Sequence, residues 1–304
     1  MKKLLSSSEG APMKVAIKTI SVSFLLFYSL ASSASFKVYE AEVGESTWQF
    51  NGNPISCSLS HNIPFYGDAS FSKIAGKKEA LKFNLSYKRH VINQVKVASI
   101  TSLSPSWLPR HRARNIGEIT INRGNNIFTS QKLASWKLLN ELEVGRFPTF
   151  RYQNFDTIED QVAVSLSAVG FKQPYDKFLN CLNTLVSYKL NELTKMTLRF
   201  DFDKSSVRAV YHKKLKALAA YAQYDPNLEV VFIHGFADSK GSRNYNQLLS
   251  EKRIASVQKI LSSEGADSSR FKTLAFGEKN PVASNRNASG RALNRRVYIR
   301  VSQK

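Results

Sequence analysis

The stretch GFADSKGSRNYNQLLSEKR, residues 235–253, decides the architecture of the C-terminal third of the chain. A short polar loop bounded by two glycines leads into a segment whose apolar side chains recur at helical spacing. At about 100° per residue, one face of this segment collects Leu249, Val257, Ile260 and Leu261. The pattern predicts a helix from about Ser242 to Ser263, with Gly265 suited to its C-terminal cap.

Apolar stretches that read as strands lie on both sides of this helix. LEVVFIHGF (228–236) precedes it, and RFKTLAFG and RRVYIRVS follow it. Further upstream, the strand pattern TLRFDF (197–202) is followed by a helical pattern from Val207 to Ala222, which Pro226 ends. The order βαβαββ predicts that residues 195–304 form an α/β sandwich.

Two polar side chains, Asn246 and Arg253, fall in the middle of the apolar face of the predicted helix. A buried guanidinium without a partner would strongly destabilise the fold, so Arg253 must meet an anion. One interpretation is a structural ion pair with Asp238 in the preceding loop. The other is a pocket for a zwitterion, in which Arg253 faces a ligand carboxylate and Asp238 faces a ligand ammonium.

The segment from Gly235 to Val297 resembles the OmpA-like peptidoglycan-binding domain. It carries a Gly-x-x-Asp-x-x-Gly loop, then Tyr-Asn-x-x-Leu-Ser-x-x-Arg, and finally Asn-Arg-Arg-Val. The matching residues are Gly235, Asp238, Gly241, Tyr245, Asn246, Leu249, Ser250, Arg253, Gly277, Gly290, Arg291, Asn294, Arg295, Arg296 and Val297. The chain departs from the family at Phe236 and Ala237, where His-Thr is usual, and at Ala275, where the first glycine of Gly-x-Gly is expected.

This resemblance implies a ligand and a set of contacts. In the family, the Asp and the helix Arg hold the zwitterionic end of diaminopimelate in the peptide stem of the cell wall. Those roles carry over to Asp238 and Arg253, with Asn246 and Arg296 as secondary contacts. The resemblance implies no cofactor.

Residues 35–194 are predicted to be rich in β-structure, which makes the whole chain an α+β protein. LKFNLSYK (81–88) and DQVAVSLSAV (160–169) alternate between apolar and polar side chains, the pattern of half-buried strands. Shorter strand-like runs lie at 36–43, 95–101 and 117–122, and helices are predicted near 131–143 and 174–191.

The N-terminal half contains no recognisable catalytic or metal-binding motif. Its histidines, His61, His90 and His111, are scattered, which favours structural roles over a metal site. A basic run lies beside Trp107 and consists of Arg110, His111, Arg112 and Arg114. This pattern favours a solvated loop over a docking patch. We therefore expect a protein that is not an enzyme and binds no metal.

Charge and length limit the classes of partner. The 304 residues include 44 Lys and Arg against 23 Asp and Glu, a net charge of +21, so the partners should be anionic. Only one apolar stretch is long enough to discuss as a membrane element, which excludes a polytopic membrane protein. Nucleic acid is not expected, because the chain carries an export signal and no nucleic-acid-binding module.

That export signal is residues 1–34. Four lysines precede the apolar core ISVSFLLFYSL, and small residues follow, so cleavage is expected after Ala34. A short uncleaved anchor is the alternative, and Met13 would also begin a well-proportioned signal. An oxidising compartment favours a disulfide between Cys57 and Cys181 over two free buried thiols.

Three further stretches, at 53–72, 133–156 and 175–188, resemble the MotY family of sodium-driven polar flagellar motors. The resemblance implies a periplasmic ring around the flagellar basal body, built with a MotX-like partner, that recruits or holds stator units. Residues 35–194 would contact the basal body, and residues 195–304 would fasten the ring to peptidoglycan. The alternatives are a general envelope-integrity protein without a motor role and a wall hydrolase with a binding domain.

Overall fold

Two β-sheets, formed by different parts of the chain, organise the fold. The computed structural model describes residues 36–88, 96–105, 112–154 and 161–304. Within these ranges, the N-terminal part builds a ten-stranded sheet and the C-terminal part a four-stranded sheet. The expected α+β class, with a β-rich N-terminal half, is confirmed. The predicted signal segment 1–34 lies outside the described residues, as do His90, Trp107, Arg110 and His111.

The ten-stranded sheet contains β1 (Phe36–Tyr39), β2 (Trp48–Asn53), β3 (Ser56–Ile63), β4 (Gly67–Ile74), β5 (Lys82–Ser86), β6 (Lys96–Leu103), β7 (Arg114–Ile121), β8 (Asn126–Gln131), β9 (Phe147–Gln153) and β10 (Gln161–Ser165). Their order across the sheet is β1-β10-β9-β6-β7-β8-β5-β4-β3-β2. The pairs are antiparallel except at one edge, where β1 and β10 run parallel. Two helices accompany this sheet, α1 (Leu133–Glu143) and α2 (Lys172–Thr184).

The strands with a clean alternation were predicted, whereas β2 to β4, β8 and β9 were not. In β5, the predicted inward side chains of Phe83 and Leu85 are fully buried. No strand was predicted over β2 to β4, although they form a continuous antiparallel meander. In β3, polar residues alternate with an inward row of Cys57, Leu59, His61 and Ile63, and only two of these four are strongly apolar. The period-2 signal is therefore weak in this strand.

An aromatic core shows that the ten-stranded sheet curls. The Phe83 ring of β5 and the Phe150 ring of β9 have centroids 5.5 Å apart, although three strands lie between them in the sheet. In a flat sheet, strands four places apart would be separated by about 19 Å. Phe71 and Phe128 pack against the same pair, with centroids 4.9 Å from Phe83 and 5.0 Å from Phe150. The sheet therefore wraps around these rings like half of a barrel.

A disulfide fastens α2 to this sheet. Cys57 of β3 and Cys181 of α2 are bonded, with an S–S distance of 2.02 Å and 124 positions between them in sequence. The predicted disulfide is confirmed, and it uses both cysteines of the chain.

The C-terminal sheet has the predicted order of elements plus one helix. Its elements are β11 (Lys195–Arg199), α3 (His212–Tyr224), β12 (Leu228–Gly235), α4 (Arg243–Ser263), β13 (Phe271–Ala275), α5 (Ala288–Asn294) and β14 (Arg296–Gln303). The strand order is β11-β14-β12-β13, with β12 and β13 parallel. Helix α5 was not predicted, because its seven residues ASGRALN carry too few apolar side chains for a helical periodicity.

Helix α4 lies against the sheet with its polar residues inward. Val257 and Leu261 are buried as predicted, whereas Leu249 and Ile260 lie at the flanks and are only partly buried. The N-terminal half of the buried stripe consists of Asn246, Ser250 and Arg253, followed by Ile254. Gly235 permits this close packing, since a Cβ there would lie 2.5 Å from the Ser250 carbonyl oxygen.

The two halves share contacts within one compact unit, residues 34–304. Ala75, next to β4, is buried in the core of the C-terminal sheet. The amides of Gly76 and Lys77 donate to the carbonyls of Val186 and Ser187, each at 3.0 Å. The turn after β4 is therefore tied to the segment that leads into the C-terminal sheet.

Candidate functional site

The loop between β12 and α4 positions Asp238. The strand ends at Gly235, and the Ser242 side chain caps the helix by accepting from the Tyr245 amide at 3.2 Å. Between them, Asp238 Oδ1 accepts the Lys240 amide at 3.0 Å. This local bond fixes the carboxylate at the helix N-terminus, where the helix dipole favours negative charge. The residue is 4% exposed.

The ion-pair partner of Asp238 is Arg295, which sequence reasoning did not assign. Arg295 Nη1 lies 2.9 Å from Asp238 Oδ2, and both side chains are largely buried. Arg295 belongs to the Asn-Arg-Arg-Val motif and directly precedes β14. Successive residues of a strand face opposite sides of the sheet, so Arg295 and Arg296 should lie on opposite sides. This alternation could have indicated that Arg295, and not Arg296, faces Asp238.

Arg253 is completely buried, as predicted, but backbone carbonyls satisfy it. Its Nε donates to Lys204 O at 2.9 Å, Nη1 to Phe236 O at 2.8 Å and Nη2 to Asp201 O at 3.4 Å. Of the two interpretations from the sequence, the structural ion pair between Asp238 and Arg253 is wrong, since Asp238 pairs with Arg295 instead. Three carbonyl dipoles supply the negative charge that the buried guanidinium needs.

The electrostatics of Arg253 reflect its burial. Removal from water lowers its pKa to about 10, and the nearby negative charge of Asp238 opposes that shift. The guanidinium is therefore still charged at neutral pH. The guanidinium also lies over the Phe200 ring, 5.2 Å from its centroid.

Asn246 is buried one turn before Ser250 on α4. Its side chain contacts Glu278, which follows β13 in the chain. Its Nδ2 donates to Glu278 Oε2 at 2.8 Å, and Arg243 Nε lies 3.5 Å from the other oxygen of the same carboxylate. Asn246 thus ties α4 to the segment after β13, next to Gly277. Glu278 directly follows the matching residue Gly277, and the sequence predicted no role for it.

A small cavity of about 30 Å³ lies between these elements. Asp238, Arg253 and Arg295 line it, together with Phe202, Asp203, Lys240, Tyr245 and Leu249. The Tyr245 hydroxyl donates to Asp203 Oδ1 across its rim, and Tyr245 is 45% exposed. The cavity is about the size of one water molecule, so a larger ligand group can enter only when Lys240, Tyr245 or Asp203 moves.

Arg296 lies elsewhere. Its guanidinium carbon is 3.7 Å from the centroid of the Phe236 ring, and its Nη2 donates to Asn280 O at 3.0 Å. It lines a separate cavity of about 500 Å³ with Thr197, Arg199, Phe236, Val282, Leu293 and Tyr298. The structure therefore groups Asp238, Arg253 and Arg295, with Asn246 beside them on α4, and leaves Arg296 out of that group.

The comparisons with known proteins identify the family. The MotY N-terminal domain family matches residues 39–187, and the OmpA family matches residues 199–295. The chain is 31% identical to the sodium-type flagellar protein MotY of Vibrio parahaemolyticus, over 89% of this chain and 94% of that relative. The chain belongs to the MotY family. Both family resemblances seen in the sequence are thereby confirmed.

The C-terminal part of this MotY-family chain also has relatives of its own. Outer membrane protein A of Bordetella avium is 44% identical over 34% of this chain and 52% of that protein. The crystal structure of the peptidoglycan-associated lipoprotein from Burkholderia pseudomallei is 30% identical, covers 35% of this chain and 89% of that chain, and has a TM-score of 0.34. Across the described ranges, none of the helices has the length and apolar character that a membrane span requires.

Proposed function

We propose that this protein is a periplasmic, non-enzymatic scaffold of the flagellar motor. A T-ring-like assembly with a MotX-like partner would surround the basal body and help to recruit and hold stator units. In this proposal, residues 1–34 direct export and are removed after Ala34, and residues 35–194 contact the basal body. Residues 195–304 attach the assembly to peptidoglycan. Membership of the MotY family supports the motor role.

The observation that carries the wall-binding part is the charge arrangement around Asp238. The cavity lining contains two carboxylates, Asp203 and the buried Asp238, and three cations, Lys240, Arg253 and Arg295, so the site holds one positive charge in excess. A ligand carboxylate can neutralise that excess, and Asp238 can accept a hydrogen bond from a ligand ammonium. The amino-acid end of diaminopimelate carries both groups on one carbon. Arg295 joins Asp238 and Arg253 as a proposed contact, and Asn246 positions α4 beside them.

The test of this site is binding to purified sacculi by the mature chain, residues 35–304. Asp238→Asn keeps the shape of the side chain and removes the charge that the ligand ammonium needs. We expect a loss of about 2 kcal/mol or more, roughly 30-fold in affinity. Glu251→Gln is the matched control, because it removes one exposed negative charge from α4 and should bind as wild type does. Equal binding by folded Asp238→Asn and wild type would refute the site.

The motor role needs a separate test in cells. A fluorescent fusion should gather at flagellar basal bodies and become diffuse in cells that lack them. Deletion should abolish swimming while filaments remain normal. A leaky or misshapen envelope with normal swimming would instead favour the general envelope-integrity protein.

A further inference from the structure

The four-stranded sheet has a second face, opposite α3 and α4, with an unusual composition. Alternation buries one set of side chains under the helices, among them Val231, Ile233 and Ile299. Three rows of the other set reach across all four strands, and a further pair, Val230 and Ser302, lies beyond them. We call this the outer face, made of Lys195, Arg300, Phe232 and Lys272 in the first row, Thr197, Tyr298, His234 and Leu274 in the second, and Arg199, Arg296, Phe236 and Phe276 in the third.

The outer face is basic. It carries five Lys or Arg side chains and no carboxylate, and four of these cations are exposed: Lys195, Arg199, Lys272 and Arg300. Glu229 of β12 lies beyond the first row, where it accepts from Ser302. Five cations this close together repel one another in the free protein, which favours an anionic partner.

Aromatic rings run through the same surface. Phe236 and Phe276 stack with centroids 4.9 Å apart, His234 meets Phe276 at 5.5 Å, and Phe232 meets His234 at 6.4 Å. Arg296 lies on Phe236, so one cation is already fixed against the strip. Phe232, His234 and Phe276 are partly exposed, whereas Phe236 is buried beneath Arg296. The exposed parts of these rings offer an apolar surface to flat or ring-shaped ligands.

The third row opens into the cavity of about 500 Å³. Arg199, Arg296, Phe236 and Tyr298 form one side, and Val282 and Leu293 form the other. This volume suits a ligand of one or two sugar rings, because small-molecule sites commonly measure about 300–1,000 Å³. Leu274 is the only aliphatic side chain among its twelve positions, and it is exposed, as is Val282 at the cavity. The four exposed cations outnumber these two apolar side chains, so charge dominates the surface.

We infer that the outer face binds an anionic amino-sugar polymer, which in the cell wall is the glycan backbone of peptidoglycan. The apolar C–H face of a sugar packs on the partly exposed Tyr298 ring, and the exposed Arg199 binds a carboxylate. Arg296 is buried and holds the Phe236 ring beneath this surface. Every second sugar of that backbone carries a lactyl group, which is either a free carboxylate or the start of the acidic stem peptide. This inference rests on the proposed wall-binding function and deepens it.

The Asp238 site and the outer face are connected by two adjacent residues, Arg295 and Arg296. Arg295 turns to Asp238 on the helix side of the sheet, and Arg296 turns to the outer face. A stem peptide held at Asp238 and the sugar that bears it can therefore bind at the same edge of the sheet, on its opposite faces. Binding at both sites would raise the effective affinity for intact wall over that for either part alone.

The test separates the two ligands. The mature chain, residues 35–304, is titrated with glycan strands freed of peptide by amidase treatment and with the stem tripeptide that ends in diaminopimelate. Arg199→Glu should weaken binding of glycan strands about tenfold. Tyr298→Ala should weaken it several-fold, and Tyr298→Phe should restore it because the ring is kept. None of these variants should change tripeptide binding. Asp238→Asn should weaken tripeptide binding and leave binding of glycan strands unchanged.

Lys259→Glu is the matched control for Arg199→Glu, because it reverses an exposed charge on α4, away from the outer face. The inference is overturned if wild type binds the tripeptide but not glycan strands, or if Lys259→Glu weakens glycan binding as much as Arg199→Glu. It is also overturned if Arg199→Glu affects only binding to phosphatidylglycerol vesicles or to an acidic protein. Failure of wild type to bind the tripeptide refutes the Asp238 site alone, and the glycan titration still decides the outer face.

Discussion

Replacing Arg253 by Ala should destabilise the C-terminal domain. The side chain is fully buried and donates to three carbonyls, two in the segment after β11 and one at the end of β12. A hydrogen bond from a charged donor contributes about 1.5–3 kcal/mol, so three fully additive bonds would contribute about 4.5 kcal/mol or more. Since such bonds are not additive, we expect a loss of about 3–4 kcal/mol. That corresponds to a fall of about 10 °C in Tm.

The assay is thermal and urea unfolding of the mature chain, followed by circular dichroism. Lys252→Ala is the control, because it truncates the exposed neighbour on the same helix and should change Tm very little. Arg253→Lys should recover less than half of the loss, since one ammonium cannot reach carbonyls on both segments. If folded Arg253→Ala unfolds within about 2 °C of wild type, Arg253 does not hold these segments together.

Two further predictions concern the N-terminal sheet. Cys57→Ser should lower the free energy of unfolding by about 4–5 kcal/mol in the chain-entropy account. Reduced wild type should unfold at the same urea concentration as Cys57→Ser. If Cys57→Ser instead unfolds at the same urea concentration as oxidised wild type, the prediction is wrong. Burial lowers the pKa of His61, against the opposing charge of Asp68, and its Nε2 has no hydrogen-bond partner within the described part of the chain. The neutral ring is therefore favoured in the fold, so its contribution to stability is complete above about pH 6.5 and falls as the pH drops below that value. Tm should fall more between about pH 7.5 and about pH 5 for wild type than for His61→Phe, and equal falls would exclude His61 as the cause.

The sequence predicted which side chains enter the site better than it predicted their partners. Periodicity alone placed Asn246 and Arg253 on the buried face of α4, and both are buried there. The partner of Asp238 lies 57 positions away, at the start of a strand whose register no local pattern determines. Backbone carbonyls leave no trace in a sequence at all, which is why the partners of Arg253 could not be found.

The strands of the N-terminal sheet were also predicted only in part. The two alternating runs were predicted as strands, although β5 and β10 are both shorter than predicted. The meander β2 to β4 was missed, because residues such as Cys57 and His61 interrupt the apolar side chains of its inner row. There the tertiary environment supplies what local propensity lacks: Trp48 and His61 stack at 4.7 Å, and Cys57 is bonded to α2.

The disulfide also decides how the chain responds to force. If one end of the protein binds the cell wall and the other the flagellar basal body, as proposed, the chain is under tension. If the pull reaches the chain near its two ends, the covalent bridge carries the load directly from residue 181 to residue 57. The 124 positions between them, about 420 Å of extended polypeptide, cannot be drawn out while the bridge is intact. Residues 57–181 then add almost no length under load, and reduction would allow them to extend.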